Sequence, residues 1–245
     1  MEEKSHIYIV CSDQTRNGKT LFARLFSDFL LVSGGSPFIM DLDAPIGSIC
    51  EYYPERSEVY DISTVAGQME VFDWILGTPG RDYVIDVPAR FLEKFFTVMD
   101  DINFMAGAFE QGFDLNVFYL VEGTGKSLDQ ALMMHDNYAV DRFFVIRHEE
   151  MDEDLKDFNK LSTFHDIAGD GQIVLPPLNR QVLDCVEARD FSFVDFISGE
   201  DIDMPPKAQF QLASYLETVI DAMGRIKRRI DIGNLTRMET GLPTR

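Results

Sequence analysis

The sequence predicts a three-layer α/β/α fold built on a mostly parallel, doubly wound sheet. Short apolar runs alternate with helix-length amphipathic stretches almost throughout, the pattern of strands joined by helical crossovers. Runs such as Tyr83-Val84-Ile85 and Phe143-Phe144-Val145-Ile146 are apolar without alternation, which suits strands covered on both faces. A chain of 245 residues can also bury one large core without a disulfide or metal staple. The expectation is one domain over 1–245, ending in a helix and basic tail from about 206.

The elements follow in order. Strands are expected at 6–11, 37–41, 82–87, 115–121, 142–147 and 172–175. Helices are expected near 18–33, 66–76, 88–102, 126–139, 152–164, 178–189 and 206–229. In the first helix Leu21, Leu25, Phe29 and Val32 recur at helical spacing, and Gly34-Gly35 supplies a stop. Phe91, Phe95, Phe96 and Phe104, with Phe113, Phe118 and Tyr119, read as core. The acidic, proline-containing stretch 192–206 reads as a loop, and no internal repeat interrupts the pattern.

Composition narrows the partners. The net charge is -20, and nucleic-acid affinity rests largely on neutralising phosphates, so the balance argues against nonspecific DNA binding. A local exception stands near the C-terminus, where Arg225, Lys227, Arg228, Arg229, Arg237 and Arg245 face only Asp231 and Glu239. Cations also complement a helix end, and that plain reading is preferred to a docking site. Cys11, Cys50 and Cys185 are widely spaced, which argues against a disulfide framework or zinc site. No uninterrupted apolar segment approaches the roughly 18 residues of a membrane span. The opening Met1-Glu2-Glu3-Lys4 does not read as a secretory leader, so a cytoplasmic protein is expected. His6, His135, His148 and His165 show no metal-ligand spacing.

Chemistry concentrates after the first strand. Ile7-Tyr8-Ile9-Val10-Cys11 runs into Ser12-Asp13-Gln14-Thr15-Arg16-Asn17-Gly18-Lys19-Thr20, and a helix follows. Strand, loop and helix in this order let backbone N–H groups and a helix N-terminus cradle phosphates. Lys19 would reach the terminal phosphates and the Thr20 hydroxyl would hold Mg²⁺. The full phosphate-loop pattern asks for glycine where Asp13 stands, so the match is partial. Two later strands corroborate it. One runs into Asp41-Leu42-Asp43, the other into Asp86-Val87-Pro88, and an aspartate at the carboxyl end of a neighbouring parallel strand can hold the metal or its waters.

These three motifs resemble the MinD/ParA-like family of P-loop ATPases, the deviant Walker A group, through roughly residue 190. The resemblance implies a P-loop NTPase fold that binds ATP and Mg²⁺ through residues 13–20. It implies that Lys19 binds phosphate, that Thr20 and Asp86 serve the metal with Asp41 nearby, and that Asp43 positions the attacking water. Arg147 and Pro176-Pro177 fall where relatives approach the base. The family's signature lysine falls at Gln14, and its two glycines at Thr15 and Arg16. Larger side chains there narrow a phosphate cradle, because glycine permits backbone angles that threonine and arginine do not.

A second turn, Gly123-Thr124-Gly125-Lys126-Ser127, also joins a strand to a helix. Leu120 occupies its first-glycine position and no later strand ends in aspartate, so it reads as ordinary turn chemistry. Three functions remain. The first is a nucleotide-controlled switch with weak or partner-dependent ATPase activity, whose ordered loops recruit a second subunit or an unidentified protein partner in intracellular positioning or partitioning. The second is a non-hydrolysing adaptor on the same fold. The third is a P-loop kinase or synthetase acting on a small molecule near Asp43 and 46–53.

Overall fold

The computed structural model describes residues 5–138, 140–189, 191–200 and 202–240, with backbone alone at 158 and 234–240. The strands are β1 (Ser5–Cys11), β2 (Phe38–Asp41), β3 (Ser57–Val59), β4 (Tyr83–Asp86), β5 (Phe113–Leu120), β6 (Arg142–His148) and β7 (Gln172–Leu175). They form one sheet in the order β3-β2-β4-β1-β5-β6-β7, and every pairing is parallel. Parallel neighbours require crossovers, and helices supply them. The helices are α1 (Lys19–Val32), α2 (Val65–Gly77), α3 (Leu92–Asp101), α4 (Phe104–Glu110), α5 (Gly125–Asn137), α6 (Phe158–Ile167), α7 (Arg180–Val186), α8 (Phe193–Ser198) and α9 (Pro206–Thr240).

Alternation along the buried strands divides the core into two layers. Ile7, Ile9 and Cys11 of β1 face a cluster containing Val71 of α2, Phe95 of α3, Phe104 of α4, Leu128 of α5 and Phe164 of α6. Tyr8 and Val10 face the opposite cluster, with Phe22 and Phe26 of α1, Val182 of α7, Phe193 of α8 and Leu212 of α9. The runs without alternation are therefore apolar because both faces are covered. The aromatic residues expected as core are buried, with Phe91 partly so.

The crossovers place the site. After β1 the chain passes into α1 on one face, and after β4, beside β1, it passes into α3 and α4 on the other. Where adjacent parallel strands send their helices to opposite faces, a crevice opens at their carboxyl ends. The long α9 runs back over the α1 face.

Several boundaries differ from the expectation. β3 has a single apolar residue and sits at the sheet edge with exposed and half-buried side chains, so it carries little hydrophobic signal. The 88–102 helix opens with a 3-10 turn, Ala89–Phe91, and is followed by the separate α4. The helix expected from 152 starts at Phe158, after two 3-10 turns, because Asp157 accepts hydrogen bonds from the N–H groups of Asn159 and Lys160. Stretch 192–206 contains α8, and the last helix continues to Thr240. The expected stop of α1 holds: Gly34 adopts φ +89, with Gly34 N–H bonded to Leu31 C=O and Gly35 N–H to Leu30 C=O, a left-handed closure that glycine allows.

The basic tail is partly neutralised. Arg225 pairs with Asp221, Lys227 with Asp231 at 2.5 Å, and Arg229 donates to the carbonyl of Gly169. The side chain of Arg237 and all of Arg245 lie outside the described residues.

Candidate functional site at the carboxyl end of the sheet

The loop joining β1 to α1 ends in Gly18 at φ +88, ψ 10, and α1 begins at Lys19 without any side chain capping its N-terminus. α2, α5, α6, α7 and α8 each start with a Ser, Thr, Asp or Asn side chain accepting a backbone N–H, whereas α3 and α4, like α1, start without one. The first turn of α1 therefore keeps its amide donors and the positive end of its dipole for another acceptor. Arg16 also holds a left-handed conformation, φ 60. That costs a side-chain-bearing residue on the order of 1 kcal/mol and persists only where surrounding contacts impose it.

Asp86 gathers the chemistry. It ends β4, buried, with Val10 of β1 and Asp41 of β2 as its register partners. Its Oδ1 forms an ion pair with the Lys19 ammonium, and its Oδ2 accepts a 2.8 Å hydrogen bond from the Thr20 hydroxyl. One carboxylate thus holds the two side chains at the start of α1. Asp41, beside it, accepts from the backbone N–H groups of Asp43 (2.8 Å) and Ile49 (3.0 Å), closing the loop after β2. Burial, and then the neighbouring Asp86 charge, lift the Asp41 carboxyl to about 6. Asp43 lies further out, in an ion pair with Arg90 of the Ala89–Phe91 turn.

The loop is braced from β5 and β6 by groups that sequence reading did not single out. The Ser12 hydroxyl donates to Leu120 C=O (2.7 Å) and accepts from Gln14 N–H and from Asn17 Nδ2. The Asp13 carboxylate accepts from Tyr119, Ser127 and the Gln14 side chain. Asp13 and the Gln14 side chain are thereby tied to one another and to β5 and α5, while Thr15 and Arg16 are exposed. At the end of β6 the imidazole of His148 meets the loop, its Nε2 3.0 Å from the Asn17 carbonyl. Arg147 serves the opposite face, bonded to Gln172, paired with Asp152 and packed over the Phe164 ring of α6. Period-two alternation of the strand carries this signal: two adjacent polar residues ending a buried strand must point to different layers. Pro176-Pro177 line a cleft of about 300 Å³ with Asn179, Phe210 and Tyr215.

The second glycine–lysine turn has other duties. Thr124 Oγ1 caps α5 by accepting from Ser127 N–H, and the buried Ser127 hydroxyl bonds Asp13 and the Glu122 N–H. These are the capping contacts that an ordinary strand-to-helix turn makes. Among the described residues no group of three or more His, Cys, Asp or Glu is arranged to hold a metal, and no helix is long and apolar enough to cross a membrane.

Sheet order, crossover switch and loop position coincide with one architecture. This is a three-layer α/β/α fold on an all-parallel, doubly wound sheet. Solved structures to which this chain is similar include chloroplast FtsY from Physcomitrella patens, at 13% identity and TM-score 0.49 over 72% of this chain and 60% of that one. The MinD cell division protein of Aquifex aeolicus matches at 14% identity and TM-score 0.44, over 82% of this chain and 99% of that one. The pNOB8 ParA protein, solved bound to nonspecific DNA, matches at 11% identity and TM-score 0.43, over 94% and 99%. This chain spans 60% of the length of the FtsY chain. No family model matches the sequence, and no curated protein does.

Proposed function

We propose that this chain is a nucleotide-controlled switch that binds a Mg²⁺–nucleoside triphosphate, ATP in the first instance, where β1 gives way to α1. The observation that carries this reading is the Asp86 carboxylate holding both the Lys19 ammonium and the Thr20 hydroxyl at an uncapped helix start. Hydroxyl and carboxylate are hard oxygen donors of the kind Mg²⁺ takes, and free amides with an ammonium are what phosphate oxygens take. The donor set therefore fits the ligand. Thr20 and Asp86 would hold the metal, with Asp41 behind them, and the metal would neutralise charge on the phosphates. Lys19 would exchange its contact with Asp86 for the terminal phosphates.

The switching part of the reading follows from the same contacts. Asp86 sits on β4, Asp41 closes the loop after β2, and Arg90 ties Asp43 to the segment after β4. Drawing Lys19 away from Asp86 changes the charge balance at the root of both loops, and a reordered 43–49 surface would recruit a second subunit or another protein. The test is calorimetry with ATP, GTP and Mg²⁺, coupled to sizing by light scattering, on wild type and Lys19→Ala. Equal binding by the two proteins removes the proposal.

A second reading, binding without turnover, has its own observation. Gln14 stands at the position of the family's signature lysine and is occupied with Asp13, while Asp43 is engaged by Arg90. On that reading the protein is an adaptor, and ATP is bound tightly with no phosphate release. A phosphate-release assay on the full chain separates the two, since sustained turnover excludes the adaptor.

A further inference from the structure

The contact between His148 and the Asn17 carbonyl joins residues 131 positions apart. β6 lies two strands from β1, with β5 between them. The ring also faces Gly18: a Cβ built there would lie 3.8 Å from both Cε1 and Nε2 of the imidazole. A carbonyl oxygen can only accept, so Nε2 must carry the proton.

The consequence comes from the peptide group itself. The unit between residues 17 and 18 is planar and trans, so its C=O and N–H point in opposite directions. Holding the Asn17 carbonyl on β6 turns the Gly18 N–H to the other side of the loop, away from the imidazole. Glycine at φ +88 resists rotation of that peptide less than any other residue would, so its orientation has to come from outside. The Asn17 side chain is held separately, by the Ser12 hydroxyl, and restrains a different part of the residue. His148 is moreover the register partner of Leu175, next to Pro176 and the cleft it lines.

We propose that His148 is a positioning residue of the phosphate loop, fixing the 17–18 peptide so that the Gly18 N–H is presented to a bound polyphosphate. This deepens the phosphate-binding reading and rests on it. It also accounts for a loop that works with Thr15 and Arg16 in place of glycines. Orientation comes from side chains donated by the neighbouring strands instead of from backbone freedom within the loop.

Two measurements test it. In the ligand-free full chain, nitrogen NMR of ring-labelled histidine is expected to show His148 protonated at Nε2; a bare Nε2 with the proton on Nδ1 overturns the proposal whether or not nucleotide binds. Calorimetry with inorganic tripolyphosphate and with Mg²⁺–ATP then compares variants. His148→Ala is expected to weaken both ligands by roughly fivefold to tenfold, whereas His148→Gln, whose amide donates from a similar reach, stays within about twofold. Equal loss in both variants, or no loss in His148→Ala while Lys19→Ala abolishes binding, overturns the positioning role and leaves the phosphate reading standing. A wild type that binds neither ligand overturns both.

Discussion

The chain contains two turns of nearly the same wording, Gly18-Lys19-Thr20 and Gly125-Lys126-Ser127, each between a buried strand and a helix. Their contacts differ. At the first, no side chain caps the helix, glycine is left-handed, and lysine and threonine converge on Asp86. At the second, Thr124 caps the helix, the serine hydroxyl turns inward to Asp13, and Lys126 is exposed. The difference lies in the neighbouring strands. β1 stands beside β4, which ends in aspartate, whereas β5 stands between β1 and β6, which end in Cys11 and His148. The same three-residue wording thus leaves one helix start uncapped beside a carboxylate and the other capped and turned inward.

The largest expected effect separates the two lysines. Lys19→Ala should weaken Mg²⁺–ATP binding by roughly 10- to 100-fold, the size of a lost charge-assisted contact, while Lys126→Ala leaves calorimetric affinity unchanged. If Lys126 proves the sensitive one, the assignment of the two turns is reversed. Next comes the metal. Asp86→Asn should remove most of the Mg²⁺ enhancement of nucleotide affinity; titrating MgCl₂ against a fixed ATP concentration reads this directly, and an undiminished Mg²⁺ response would place the metal elsewhere.

Smaller effects fall on stability. Thr124→Ala should lower unfolding free energy by about 1 kcal/mol, a typical N-cap loss, measured by urea denaturation, with nucleotide affinity unchanged. A change in affinity without a change in stability would mean that the second turn touches ligand. A pH-dependent effect probes the buried part of α1. Burial lifts the Asp28 carboxyl to about 6, against the opposing hydrogen bond from Tyr53. A carboxyl pKa raised by folding contributes stability that is complete below about pH 4 and is lost as pH rises through about 6, by about 3 kcal/mol. Asp28→Asn should flatten the stability profile across that window, and an unaltered slope would move the titration to another group.

The elements that were legible in the sequence are those with strong apolar signals. β1, β4 and β6 announce themselves because both faces are buried, and α1 because its apolar stripe ends in Gly34-Gly35. β3 was not legible: Ser57–Val59 is a partly exposed edge strand whose identity comes from pairing with β2. α8 is six residues long and lies within a stretch whose acidic and proline content reads as loop. At the site, Lys19, Thr20 and Asp86 were legible because each is anchored by a local motif. Ser12 and His148 were not, because a lone serine or histidine carries no spacing signal and their roles depend on strands that meet only in the fold.

Pattern and local chemistry alone determined the class of fold, the loop between β1 and α1 and the acids at two strand tips, since hydrophobic periodicity and helix-start chemistry are properties of contiguous residues. Only the tertiary structure decided which of two like turns faces a carboxylate, which face of β6 offers His148 and which Arg147, and that Asp13 and Asp41 are spent on bracing loops. Those outcomes depend on strand order and register, which bring together groups 67, 131 and 114 positions apart, and no local signal in the chain encodes such a distance.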